Sequence, residues 1–346
     1  MTIWVVRAGK QGERANLAIE EGRAFIGWEQ FGDMSSYDTR DKIRKFLKKK
    51  NLGWSSNKVG NYAGQFLKFI KKIEVGDTIA IPLKGQPAIL FGKVTGGYEF
   101  IAENPEGCRH SRKVEWMREP IPRSFFKQDI LNSFGSLLTV FGIGEDKERR
   151  IRKVIDEVMG GKKGQQTDTE ITSNDVEVEE EEKLDLEELA QNGISDFIGR
   201  NFKNYNMEKL VAGVLQAQGF TVRRNTSKGK DGGVDILAGR GAMGLDEPRL
   251  AVQVKSSDAP IDIGDYRQLE GVLKKFNATH GLFVSWGGFK STVEEEAKRD
   301  FFKIRLWNAE NLVHEIQDVY PNLPKKIQAD LPMKQIWLLI DEVNED

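Results

Sequence analysis

The stretch from Gly160 to Glu182, GGKKGQQTDTEITSNDVEVEEEE, has almost no apolar periodicity and is dominated by Gly, Gln, Thr and acidic residues. Such a run buries too little apolar surface to offset the entropy of ordering it, and its like charges repel and extend it. It joins neither neighbour's core. The 346-residue chain is therefore expected to form two separately cored parts, residues 1–159 and 184–346, with 160–183 as an acidic flexible linker.

The linker also changes how the net charge of −1 is read. From Asp168 to Glu188 there are eleven carboxylates and one lysine, a local −10 that leaves +9 on the rest of the chain. The segment Arg40–Lys50 concentrates seven cations against one Asp, either a solvated helix face or a surface for phosphates. No apolar run approaches the ~20 residues needed to cross a bilayer, and MTIWVVRAGKQGER has none of the parts of a secretion signal. The single cysteine, Cys108, forms neither an internal disulfide nor a Cys-rich metal site, which suits a reducing cytoplasm.

The first part reads as mostly strands. IWVVRA, RAFIGW, GDTIAIPL, AILFGKVTGGYEF and KVEWMRE are strand-like, with RDKIRKFLKKK and AGQFLKFIKKI helical between them, an order suggesting a small β-barrel interrupted by helices. The second part alternates. NMEKLVAGVLQAQGF, DYRQLEGVLKKFNA and STVEEEAKRDFF are helical; FTVRR, GVDILAG, RLAVQVKSS, HGLFVSW and KIRLWN are short strands, so the pattern is an α/β sheet flanked by helices. The apolar IWLLI near the end is expected to dock on one of the two domains.

Two of those strands carry polar groups where apolar ones are expected. Side chains alternate along a strand, so Gln253 and Lys255 share one face of LAVQVKSS, opposite Val252 and Val254. Asp235 likewise opposes Val234 and Ile236, and if the strands are neighbours the three converge. Burying such groups is costly unless something offsets their desolvation. A divalent cation and a phosphate would: Asp235 supplies an anionic oxygen, Gln253 a neutral one and the Val254 carbonyl a third, a set suited to Mg²⁺, with Mn²⁺ as the substitute. Lys255 would orient the attacking water or offset charge on the phosphate, and Glu208, on the preceding helix, would hold the metal through a water. His110, His280 and His314 lack metal-ligand spacing, and no phosphate-binding loop ends in Gly-Lys-Ser/Thr.

From about Asn206 to Ile316 the chain resembles the Mrr-like catalytic domain of the PD-(D/E)xK nuclease superfamily, on a helix bearing Glu208, then GKDGGVDI with Asp235, then QVK with Gln253 and Lys255. The resemblance implies a metal-dependent endonuclease acting on double-stranded DNA, as in restriction of foreign or modified DNA, with Gln253 in place of the second acid. Asp231 is read either as a turn residue or as a ligand.

The region up to Gly160 holds eighteen of the thirty-two aromatic residues. Most belong in a core, but a few at a barrel mouth could sandwich a flipped base. FIGW, VGDTIAIP, FGKVTGGYEF and VEWM are similar to the PUA-like group that includes EVE domains, which implies a small barrel reading a modified base. Trp28 and Trp54, then Tyr98 and Trp116, are the candidates for that cage, each with an ordinary core position as its alternative. The whole is thus expected to be an α+β two-domain chain, a PUA/EVE-like β-barrel followed by a restriction-endonuclease-like domain, a homodimer if both strands are cut. Two other readings stay open: a nuclease gated by a nucleotide or other small ligand at the N-terminal domain, and a non-catalytic DNA-binding protein on a nuclease fold. RNA also stays open as a substrate.

Overall fold

The computed structural model describes residues 1–50, 52–136, 138–160, 186–225 and 233–337. Most of the acidic linker, Asp231 and the Leu338–Ile340 part of IWLLI therefore lie outside the described residues. Ile336 and Trp337 are 61% and 94% exposed. The chain divides into two compact units, Met1–Asp196 and Phe197–Asp346. Among the described residues no helix is long and apolar enough to cross a membrane.

In the first unit the elements run β1 (Ile3–Val6), α1 (Ala15–Glu21), β2 (Arg23–Ile26), α2 (Arg40–Lys49), α3 (Ser56–Leu67), β3 (Thr78–Pro82), β4 (Ala88–Phe100), β5 (His110–Trp116), β6 (Ile121–Pro122), α4 (Gln128–Ser133), β7 (Val140–Gly142) and α5 (Glu145–Met159). Thr39 and Ser55 start α2 and α3 by accepting from the N–H groups of Lys42 and Lys58. The strands form one mixed sheet in the order β2-β5-β4-β3-β1-β7, with β6 on the side of β4. A register shift between Val94 and Tyr98 lets the long β4 pair with β5 along both of its halves.

This sheet does not close, so the expected barrel is not what forms. The reason lies in strands that are apolar on both faces. Ile3, Val5, Ala80, Ile89, Phe91 and Phe141 pack on one side with Ile130, Leu131 and Ile151 of α4 and α5. Val6, Ile79, Ile81, Leu90 and Val140 pack on the other with Ile43 and Leu47 of α2 and Val59, Ala63 and Phe66 of α3. A barrel has one interior; a strand buried on both faces needs two covers, and helices supply them.

The second unit begins within α6 (Leu186–Asn201) and continues α7 (Tyr205–Ala217), β8 (Thr221–Arg224), β9 (Ile236–Arg240), β10 (Asp246–Lys255), α8 (Ile263–Lys275), β11 (His280–Ser285), α9 (Ser291–Arg299), β12 (Ile304–Trp307), α10 (Ala309–Val319) and α11 (Lys325–Asp330). Its five strands lie in the order β12-β11-β10-β9-β8: β8, β9 and β10 are antiparallel neighbours, while β10, β11 and β12 are parallel. Parallel neighbours need crossovers, and α8 and α9 provide them. Leu237, Ala251 and Phe283 share a core with Tyr266, Leu269 and Val293 of those helices. The opposite residues Ile236, Ala238, Val252, Leu282 and Val284 are also buried, and α7 and α10 pack on the sheet as well.

Candidate active site

Asp235 stands immediately before β9, one residue short of the strand in which the alternation had placed it. The ladder between β9 and β10 ends at Ile236 and Val252. One residue beyond, the Asp235 N–H still donates to the Val252 carbonyl at 3.0 Å, but the Val254 N–H donates to the Asp235 carboxylate, Oδ2, at 2.7 Å. The side chain has taken the place of a strand carbonyl. On the other side the Asp235 carbonyl accepts from the Asn225 N–H at 2.8 Å, so the residue is pinned between two strands.

Gln253 and Lys255, two apart on β10, project to the face that carries α8 and pair along β11 with Phe283 and Ser285. Gln253 is 4% exposed, and its Oε1 has no hydrogen-bond partner among the described residues. A Cβ on Gly233 would lie 3.6 Å from the Gln253 amide nitrogen, and Gly233 has φ +86°, so glycine lets the turn before Asp235 pass over that amide. The Ser285 hydroxyl beside Lys255 is also buried without a partner among the described residues.

Glu208 arrives in the first turn of α7. That turn is fastened to the end of β10: the Asn204 N–H donates to the Ser256 hydroxyl at 2.7 Å, next to Lys255. Asn204 has φ +49° and ψ −123°, outside the left-handed helical region and close to the first central residue of a type II′ turn. Burial pushes the Glu208 carboxyl up from its ordinary range and the Asp235 carboxylate adds to the rise, while the Arg224 guanidinium opposes it. The Asp235 carboxyl is pushed up as well, by burial, against the Val254 N–H and the Lys255 ammonium. Two neighbouring carboxyls thus lack the positive charge that would hold both ionised.

This donor set fits a hard divalent cation. An unpaired buried amide oxygen costs about 1–3 kcal/mol, and the Gln253 Oε1 would be satisfied by an ion that Asp235, Glu208 and the Val254 carbonyl could also reach. No cluster of three His, Cys, Asp or Glu suited to a metal occurs among the described residues, so the neutral oxygens matter here.

In the first unit the aromatic candidates separate. The Trp28 ring lies 4.9 Å from Tyr62 and 4.8 Å from Phe66, and the Trp54 ring 4.4 Å from Tyr62, so these two share a cluster. Tyr98 reaches it indirectly: its hydroxyl is 2.7 Å from His110 Nδ1, whose Nε2 is 3.3 Å from the Trp28 carbonyl. Trp116 stands apart, donating from its indole to the Ala18 carbonyl at 2.6 Å. Trp28 has φ +74°, an outlier for a bulky side chain and held by these contacts. Arg224, Tyr205 and Ser256 beside the carboxylates were not read as site residues from the sequence. Arg224 pairs with Ile236, next to Asp235, and only the register of β8 on β9 reveals that.

Residues 200–316 match the family model described as a restriction endonuclease (Mrr_cat), and residues 4–141 match one described as a domain of unknown function (DUF8426). No curated protein matches. Among solved structures, the DNA modification-dependent restriction endonuclease AspBHI is similar at 15% identity, over 74% of this chain and 67% of that one, with a TM-score of 0.32. The MspJI restriction endonuclease in complex with a 27-mer oligonucleotide is similar at 13% identity, over 74% of this chain and 64% of that one, with a TM-score of 0.31.

Proposed function

We propose that this chain is a metal-dependent DNA endonuclease that hydrolyses phosphodiester bonds, directed to modified DNA by its first unit. The observation that carries the reading is the buried, unpartnered Oε1 of Gln253 on the same strand face as Lys255, beside an Asp235 whose carboxylate is anchored by Val254. The restriction-endonuclease match over residues 200–316 supports the same chemistry.

In this reading Asp235, Gln253 and the Val254 carbonyl would hold Mg²⁺, or Mn²⁺ in its place, with Glu208 supporting them. The cation supplies neutralisation of the charge that grows on the phosphate oxygens. Lys255 orients a water for attack opposite the leaving oxygen; the water oxygen bonds to phosphorus and gives a proton to solvent, the ester bond opposite breaks, and the departing oxygen takes a proton from solvent. Ser256 and Asn204 keep Glu208 in place by tying α7 to the strand that bears Lys255.

Trp28 and Tyr62 are buried in the core of the first unit, the alternative weighed for Trp28, so base reading, together with any relation to PUA-like, EVE-type readers, is left in this proposal to the half-buried Trp54 that packs against them. Lys58 lies 4.9 Å from the Trp54 ring, and the cations of α2 face outward nearby on the same unit, as a nucleic-acid surface requires. Cleavage of matched duplexes with and without methylated or hydroxymethylated bases, with Mg²⁺ or chelator, tests the whole reading. Asp235→Ala and Lys255→Ala are expected to lower the rate by at least about 10³-fold. Either variant cutting like the unaltered protein ends it.

A further inference from the structure

The exposed edge of the same site carries a second, differently built cluster. Tyr205, at the start of α7, is 43% exposed, and its ring is approached by the Arg224 guanidinium at 4.6 Å and the Lys209 ammonium at 4.7 Å. Arg224 ends β8 opposite Ile236, which places it beside the residue that follows Asp235. Its Nη1 is buried and has no hydrogen-bond partner among the described residues.

Arg112 in the first unit shows the structural alternative: Nε and Nη2 donate to the Phe69 and Ile70 carbonyls, so its donors are spent within the fold. Arg224 instead lies against the Tyr205 ring, its guanidinium carbon 4.6 Å from the ring centroid, a cation–π contact that leaves the charge of the group uncompensated by a carboxylate there. A fork of donors in fixed geometry matches a phosphate in two-point contact. Glu208 feels the Arg224 charge, so the fork lies within electrostatic reach of the carboxylate site. Lys209, on the same Tyr205 ring, adds a second cation there, which favours a polyanion over a single carboxylate.

We infer that Arg224, stacked on Tyr205 and accompanied by Lys209, binds non-bridging oxygens of the nucleic-acid strand whose phosphodiester is seated at Asp235 and Lys255. The inference rests on the nuclease reading above and adds the residue that holds the strand before any cation is present.

The test therefore reads binding without cleavage. Affinity of the full chain for a short duplex is measured in chelator over a range of salt, and KM and kcat separately in Mg²⁺. Arg224→Ala is expected to weaken binding about tenfold and to make the dependence of log K on log salt shallower by about one unit, with the loss in Mg²⁺ appearing mainly in KM. Arg224→Lys keeps the salt slope while losing part of the affinity, because the charge stays and the fork is gone. Tyr205→Phe keeps both, and Tyr205→Leu weakens affinity. Unchanged affinity and slope in Arg224→Ala overturn the inference. Should Arg224→Ala melt at a lower temperature than the unaltered protein, Arg224→Lys decides: a retained slope with weakened affinity upholds the inference, and an unchanged affinity or a shallower slope overturns it. Asp235→Ala separates the two claims, since undiminished cutting there defeats the nuclease reading, whereas a dead Asp235→Ala with a normally binding Arg224→Ala defeats only the phosphate contact.

Discussion

At the scale of single residues, Asp235 shows a site built at the expense of stability. Burial raises its carboxyl above the ordinary range, so the folded protein binds that proton more readily than the unfolded chain does. The stabilising contribution of the proton is present at low pH and is lost as the pH rises through the raised value. At neutral pH without metal the ionised carboxylate is therefore a burden, while an amide oxygen could still accept from Val254. Asp235→Asn is expected to raise the melting temperature in chelator at pH 7, by about 2–4 °C for each kcal/mol relieved, and to abolish cleavage. A lower melting temperature would show that the charge supports the fold.

Among the elements, α7 is held on the sheet by its buried apolar side, and its first turn is tied to the end of β10 by the Asn204 N–H, which donates to the Ser256 hydroxyl. Ser256→Ala is expected to cost about 1 kcal/mol and to weaken cation affinity several-fold by loosening Glu208, with the strand and Lys255 undisturbed. Titration calorimetry with Mn²⁺ checks this; an unchanged affinity would mean that Glu208 takes no part in holding the ion. The strand carrying Gln253 and Lys255 was legible because LAVQVKSS alternates, and its two polar residues stand out against that alternation. IWVV, TIAIP and AILF show no such alternation, and this is the mark of burial on both faces. Reading them as barrel strands left out the second helical cover, although Ile151, Val154, Ile155 and Val158 in α5 already form a helical stripe able to provide it.

For the molecule as a whole, the two units are expected to respond oppositely to acid. In the first, burial holds His110 below the ordinary histidine value. Its contribution to stability is present above about pH 6.5 and is lost as the pH falls toward the lowered value. Burial works against ionising Asp77, yet the N–H groups of Glu74 and Thr2 and the Trp4 indole outweigh it, and Arg150 lowers Asp129 by hydrogen bonding. Both carboxylates stabilise above about pH 4 and cease to do so below. In the second unit burial raises Glu208, Asp235 and Glu315, so protonating them there favours the folded state. Between pH 7 and pH 4, hydrogen exchange corrected for its intrinsic pH dependence is expected to show residues 1–160 losing protection before residues 197–337 in metal-free protein. The reverse order would refute the assignment.

Composition and periodicity alone pointed to the two-part organisation and the α/β character of the second part and singled out Gln253 and Lys255 as candidates, because alternation along a strand is local and needs no partner to be read, whereas Asp235 stands one residue outside the strand assigned to it. Tertiary structure decided the rest. Pairing registers bring Arg224 beside Asp235, the burial of α7 on the sheet and its tie to Ser256 set Glu208 near them, and only packing on both faces shows that the first sheet stays open. Those are relations between segments far apart in the chain, set by which surfaces bury one another.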